Sequence, residues 1–448
     1  MMTFPDLTLG LVPLARTTFD ISLATEVVAG VRSRLTEAGF ALTGPASLVT
    51  TLDEARGAAQ ALAARPPDLL LVLQATFADS TMVMSLAEKV DAPLLLWAIP
   101  EGRTGGRLRL NSLCGVNLGA YALKRAGHRY HHLYAPPDDD QAVETIRTLA
   151  RAGRARRRLR QARIGRIGEH PAGFEPCAGD QAALQARLGL EVVPVALPDL
   201  FQRIRAVTPH QVDESLACLS QRVDGLAELD QPALRGTMAT YQALRELATQ
   251  EQLDGLAVRC WPEFFTGLGC AACGAMSMLS DELTPCGCEA DVNGTITQLI
   301  LQWISGEPAF GTDLVSVDVA EDVAVLWHCG LAPLSMADPG VRPRGTVHSN
   351  RCLPLLMEFP LKPGRVTLAR LSESASGYRL VVGTGEMLRA PLSFSGTSGV
   401  LRFDRPAVQV LDTILSEGLE HHLALTYGSH EPALLALAAM LDLPVLRL

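Results

Sequence analysis

Two short runs, DLLLVLQA at 68–75 and APLLLWAIP at 92–100, are apolar at nearly every position. A strand made from such a run has no face to give to water, so it needs cover on both sides, and a parallel sheet flanked by helices supplies that cover. Neither run approaches the ~20 residues that span a bilayer. The stretches on either side of them read as helices: SLATEVVAGVRSRLTEAG at 22–39, DEARGAAQALAARPP at 53–67, stopped by its prolines, and GVNLGAYALKRAG at 115–127. With LTLGLVPL at 7–14 in front and HRYHHLYAP at 128–136 behind, the rhythm predicts a doubly wound α/β domain.

The pattern restarts at RIGRIGEHPAGFEP, 163–176, with helices over 178–250 and the strand-like LDGLAVRCW at 253–261. Past Asp313 the texture changes to short β-rich runs, LVSVDV, AVLWHCG, RVTLARLS, YRLVVGTGEML, GVLRFDR and HHLALTYG, with no long helix before EPALLALAAMLDL near the end. The expected fold is α/β: two doubly wound, Rossmann-like domains, 1–160 (flavodoxin-like) and 161–308 (carrying Glu289). A β-barrel-like domain, 309–448, carries Asp313 and His422, and a final helix packs back on an α/β domain. The basic stretch RAGRARRRLRQARIGR, 151–166, reads as a solvated helix joining domains.

Composition narrows the class. Hydrophobic residues at 48% and charged residues at 19% describe a compact chain, and a net charge of −9 argues against nucleic acid and membrane surfaces as partners. The N-terminus lacks the basic region of a signal peptide, so the ten cysteines read as reduced thiols and the location as cytoplasmic. No Walker loop, G-x-S-x-G or G-x-G-x-x-G occurs, which disfavours phosphoryl transfer, serine hydrolysis and dinucleotide redox.

The chemistry concentrates in CEADVNGTITQLILQWISGEPAFGTD, 288–313. Glu289 and Asp291 open a helix whose Ile296, Leu299, Ile300, Trp303 and Ile304 form a buried face, and Asp313 falls in a turn before the next strand. A carboxylate at a helix start is held ionised by the free N–H groups there, and serves as a hard-metal ligand, as a base, or simply as a cap. Cys270, Cys273, Cys286 and Cys288 are a rival zinc set, but a C-x-C pair in extended chain points its thiols to opposite faces, so no shared tetrahedral site is expected. Glu263, after a predicted strand, is a candidate acceptor for ligand hydroxyls or an ordinary loop acid. Trp97 offers an apolar face for a ligand ring, and Arg103, Arg107 and Asn111 offer donors.

This stretch resembles the metal-binding segment of the L-fucose isomerase/L-arabinose isomerase family, where Glu-x-Asp opens a helix that ends near Phe-x-x-Asp; here these read Glu289-Ala-Asp291 and Phe310-Gly-Thr-Asp313. His421-His422-Leu-Ala-Leu-Thr-Tyr-Gly and Ala-Met-Leu-Asp-Leu-Pro-Val resemble the family's histidine-bearing strand and last helix. The resemblance implies a metal-dependent aldose–ketose isomerase working through a cis-enediol, with Glu289 and Asp313 as both ligands and acid/base pair. His422 is implied as a further ligand and His328 as a fourth. Mn²⁺ is the implied cofactor, with Mg²⁺ or Co²⁺ as alternatives, and the implied assembly is a trimer or hexamer with active sites shared between subunits. Arg16 stands roughly where the family carries a substrate-contacting arginine. The loop arginines are compatible with a sulfonated or otherwise acidic sugar. The alternatives are a catalytically silent carbohydrate-binding homologue and a related metal-dependent epimerase or lyase.

Overall fold

The computed structural model describes residues 7–448, and the chain divides into two compact units, one running to Arg157 and one from Arg158 to Leu448. The first alternates β1 (Thr8–Leu14), α1 (Ile21–Glu37), β2 (Ala41–Thr43), α2 (Leu52–Ala64), β3 (Leu69–Gln74), α3 (Ser80–Ala87), β4 (Leu94–Ala98), α4 (Ser112–Arg125), β5 (His131–Tyr134) and α5 (Asp140–Leu159). Its sheet is parallel throughout in the order β2-β1-β3-β4-β5. Every residue of β3 and β4 is buried, as the two apolar runs require.

α5 runs across the boundary between the two units, as expected of a connecting helix, but it is not the solvated one its arginines suggest. Gly153 lies so close to the sheet that a Cβ there would stand 1.8 Å from the Asp68 carbonyl oxygen. Arg157 donates to the Asp68 carboxylate at 2.5 Å, Arg154 is buried beside it, and Arg156 pairs with Asp91 at 2.8 Å. The sequence shows the cations; the acids that take them lie some way upstream.

The second unit begins with β6 (Arg163–Ile167), α6 (Gln181–Leu188), β7 (Glu191–Val195), α7 (Leu197–Ala206), α8 (Pro209–Ser220), α9 (Gln231–Gln250), β8 (Gly255–Val258), α10 (Cys273–Asp281), β9 (Cys286–Gly287) and α11 (Val292–Ser305). β7-β6-β8-β9 form a second parallel sheet. The chain continues with β10 (Phe310–Asp318), β11 (Val323–His328), β12 (Arg344–Thr346), β13 (Leu356–Pro360), β14 (Gly364–Ser374), β15 (Gly377–Leu388) and β16 (Thr397–Phe403). It closes with α12 (Ala407–Ser416), β17 (His422–Tyr427), α13 (Glu431–Leu441) and β18 (Val445–Arg447). Pairing runs β16-β11-β10-β17-β14-β15 and returns from β15 to β16, which closes a six-stranded barrel.

Three details depart from expectation. α12 intervenes between β16 and β17, where only β-rich chain was expected. α13 packs against β15, and β18 adds to that same strand, so the final helix returns to the barrel. α11 is buried from Val292 through Ile304 on every side, not along one stripe, because it is packed against β8 and β6 as well as against β17 and β14. Inside, Thr295 and Thr297 donate to the carbonyls of Asp291 and Asn293, and Gln302 to that of Leu283, while Asn293 Oδ1 and Gln302 Oε1 have no partner.

Candidate active site

β9 ends in a tight turn, Cys288–Ala290, in which Glu289 and Ala290 take φ of 58° and 56°. Left-handed backbone costs an L-residue about 1–2 kcal/mol, and strain of this kind clusters at functional sites. The turn places Glu289 ahead of α11 and leaves Asp291 as the N-cap, accepting the Gly294 N–H at 2.8 Å. Glu289 is therefore not a first-turn residue; Asp291 takes the helix terminus.

Asp291 is also clasped by Arg370 of β14, Nη1 to Oδ2 at 2.5 Å and Nη2 to Oδ1 at 3.1 Å, with both side chains buried. A Cβ at Gly294 would stand 2.5 Å from Asp291 Oδ2 and 2.9 Å from Arg370 Nη1, so only glycine leaves room for this pair. Burial opposes ionisation of Asp291, but the Arg370 charge and the His422 hydrogen bond outweigh it and hold the carboxyl well below the usual range.

The same Oδ2 of Asp291 that takes Arg370 Nη1 also fixes His422, whose Nδ1 lies 2.9 Å away. A carboxylate on Nδ1 selects the tautomer with its proton there and turns the Nε2 lone pair outward, the arrangement metal-binding histidines use. Nε2 stands 3.7 Å from Asp313 Oδ1 and 4.0 Å from Glu289 Oε2. Asp313 is not in a turn: it is a residue of β10, directly opposite His422 of β17, and cross-strand neighbours share a face. Its Oδ1 is buried with no hydrogen-bond partner. A buried carboxylate oxygen without a donor is costly unless a cation takes it.

Glu289 has its Oε1 fixed by the Trp261 indole N–H at 3.0 Å, while Oε2 faces His421 Nε2 at 3.1 Å. Burial raises its pKa, but the hydrogen bonds of His421 and Trp261 outweigh burial and lower it overall, so the group stays ionised. Cys177, Glu289, His421 and His422 bring one potential ligand atom each to within 4.8 Å of one another. The Cys177 thiol, whose pKa burial and the nearby Asp291 and Glu289 push up, donates to Glu289 Oε2 at 3.6 Å. Ligands ~2.0–2.3 Å from one ion stand roughly 3–4 Å apart, and the His422 Nε2 distances to Asp313 (3.7 Å) and Glu289 (4.0 Å) fall in that range. Carboxylate oxygens with an imidazole suit a hard divalent cation.

These groups line one side of a cavity of about 290 Å³, shared with Trp261, Phe265, Trp327, His328, His348 and Arg351. His328 is stacked 5.8 Å from His422, with its Nδ1 accepting the Cys329 N–H at 2.9 Å. A neutral ring so held presents Nε2–H, a donor rather than a lone pair.

The remaining substrate-contact candidates are not among the residues that line this cavity. Glu263 is ion-paired to Arg259 at 2.7 Å and does not line the cavity. Trp97 is 1% exposed, with its indole donating to the Ala135 carbonyl, so the ring is core and offers no face to a sugar in its unit. In that unit Arg16 pairs with Asp79 at 2.9 Å, and Asn111 precedes α4 in left-handed backbone. The four cysteines of the zinc alternative do not group: Cys288 lies 2.7 Å from Cys260, and Cys273 lies 3.4 Å from Cys329. His348 and Arg351 come from the irregular segment before β13, where no periodicity marked them.

The family model for the fucose/sulfoquinovose isomerase N-terminal domain matches residues 10–160, and that for the L-fucose isomerase C-terminal domain matches 358–448. A sulfoquinovose isomerase of Alkalicoccus urumqiensis is 33% identical over 443 residues, covering 99% of both chains. Another, from Priestia megaterium, is 31% identical over 435 residues, covering 96% of this chain and 97% of that protein. One from Clostridium sp. (strain MSTE9) is 30% identical over 381 residues, covering 84% and 85%.

Proposed function

Because this chain belongs to the fucose/sulfoquinovose isomerase family and is an aldose–ketose isomerase, we propose that it interconverts a sulfonated aldohexose with its ketose, using a divalent cation held by Glu289, Asp313 and His422. The sulfonated substrate follows the relatives; the ligand set rests on one observation, the partnerless Asp313 Oδ1 facing His422 Nε2. Manganese is the expected ion, with magnesium or cobalt as alternatives. When bound, it supplies Lewis acidity at the substrate's C1 and C2 oxygens and so acidifies the C2–H bond.

The chain's own groups move the protons. With C1 and C2 of the open-chain sugar between Glu289 and Asp313, one carboxylate takes the C2 proton and the carbonyl O1 gains a proton, giving a cis-enediol. The O2 proton then leaves and a proton is returned to C1, so the ketose forms with no net gain or loss. Trp261 anchors Glu289 Oε1 and directs Oε2 to the cavity. His328 donates Nε2–H to a substrate oxygen; a ligand role for it would require release of Nδ1 from the Cys329 N–H. Cys273, Cys329 and the aromatic side chains on the wall limit water around the enediol. The division at 1–160, 161–308 and 309–448 then has Glu289 and Asp313 meet from the second and third segments. The assembly is proposed to be a trimer or hexamer, checked by sedimentation.

The test is an isomerase assay on a panel of neutral, sulfonated and phosphorylated aldoses, after chelation and after adding back Mn²⁺. Ketose formation lost on chelation and restored by the ion is expected. Turnover that ignores chelation removes the metal assignment, and binding without interconversion leaves a silent carbohydrate-binding homologue.

A further inference from the structure

The cavity holds one cation that the proton transfers above do not use. The Arg351 guanidinium lies 4.9 Å from the Trp261 ring centre and 5.1 Å from that of Phe265. Its Nη1 is 3.3 Å from Nε2 of His348, which is itself edge-on to Phe265 at 5.4 Å. Among the described residues Arg351 makes no ion pair with a carboxylate, and no other lysine or arginine lines this cavity.

Most arginines in this chain are consumed by acids, as Arg370, Arg259 and Arg157 are. A guanidinium stacked on two aromatic rings and left without an anion is a fork held ready for one. Its distance from the reacting end is set by Trp261, whose face carries Arg351 while its N–H holds Glu289. Carboxylate and cation are thus one indole apart, on a scale that a six-carbon chain spans from C1 to a C6 substituent.

We propose that Arg351 is a specificity-determining residue that binds the sulfonate at the C6 end of the substrate while C1 and C2 lie between Glu289 and Asp313. The inference rests on the isomerase reading above and adds to it the group that reads the anion. A single guanidinium matches the single charge of a sulfonate better than the near-double charge of a phosphate.

The test compares kcat and KM of the Mn²⁺-loaded enzyme on three sugars: the 6-deoxy-6-sulfo aldohexose, its 6-phosphate counterpart, and the 6-deoxy sugar without an anion. Wild type is compared with Arg351→Met and Arg351→Lys. Wild type should favour the sulfonated over the uncharged sugar, and Arg351→Met should shrink that ratio by at least ~10²-fold, mainly through KM. Arg351→Lys should recover part of it. An unchanged ratio in Arg351→Met, or an equal loss on charged and uncharged sugars, overturns the proposal. A wild-type preference for the phosphate overturns the choice of sulfonate. Should no sugar be turned over, the isomerase reading fails instead, and calorimetry still decides the site: at least ~10-fold weaker binding of the sulfonated sugar to Arg351→Met supports it, and equal binding rejects it.

Discussion

Each unit buries an aspartate against arginine, and the two pairs end differently. In the N-terminal unit Asp68 receives Arg157, the buried Arg154 and the Thr8 backbone N–H, and nothing is left over. In the second unit Asp291 receives Arg370, the Gly294 N–H and His422, and the chain of contacts continues through His422 Nε2 to the orphaned oxygen of Asp313. A buried charge network that closes on itself serves the fold. One that ends at an unsatisfied buried atom is built for something from outside the chain.

The contrast breaks most severely at Arg370. Arg370→Met strands a buried Asp291 carboxylate, and leaving one charge of a buried pair alone costs about 3–5 kcal/mol. The midpoint of denaturant unfolding of the second unit should fall accordingly, and an unchanged midpoint would show that Asp291 is satisfied without Arg370. Next comes Asp313→Asn, which keeps size but removes charge and base. Turnover should drop at least ~10²-fold with the fold intact and should not return with excess Mn²⁺. Glu289→Gln should behave alike and Asp291→Asn more mildly; an active Asp313→Asn enzyme at saturating metal would take away the acid/base role.

Asp68→Asn sharpens the comparison from the other side. It should lower stability by about 1–3 kcal/mol, because a buried hydrogen-bond network loses its acceptor charge, while metal affinity measured by calorimetry stays as in wild type. A metal affinity that moves with Asp68 would mean that the two networks are not independent. The smallest effect concerns pH. The Asp291 carboxyl is depressed in the folded state, so its stabilisation is present above the ordinary carboxylate range and fades as pH falls through the folded value. The stability gap between wild type and Asp291→Asn should therefore be flat from about pH 8 to pH 5 and shrink below about pH 4. A gap that widens on acidification contradicts the assignment.

Legibility in the sequence followed the range of the interactions. β3 and β4 are legible because burial on both faces leaves a local mark, and α1, α2 and α4 through their periodicity, whereas α3, which lies between the two strands, is not among the helices read from the sequence. The same logic, followed one residue further, places Trp97 in the core, since a strand buried on both faces has no ring to spare for a sugar. Asp313 reads as a turn because Gly311 and Thr312 precede it, and it is strand because residues 310–313 pair with β17, over a hundred positions downstream. The convergence of Glu289, Asp313 and His422 was legible only through family likeness. Arg351 left no local trace, since its meaning lies in the rings of Trp261 and Phe265.

The burial of α11 on all sides has a kinetic corollary. Asp291 caps this helix, and Glu289 hangs from the turn in front of it. Backbone amides in an element so enclosed exchange with deuterium only when the whole cooperative unit opens. The slowest-exchanging protons of the second unit should then be those of α11, and loss of catalytic geometry on heating should keep pace with that global opening. Such an enzyme has no cheap half-open state in which the helix is intact but its leading turn is dismantled, so heat inactivation and unfolding become a single event.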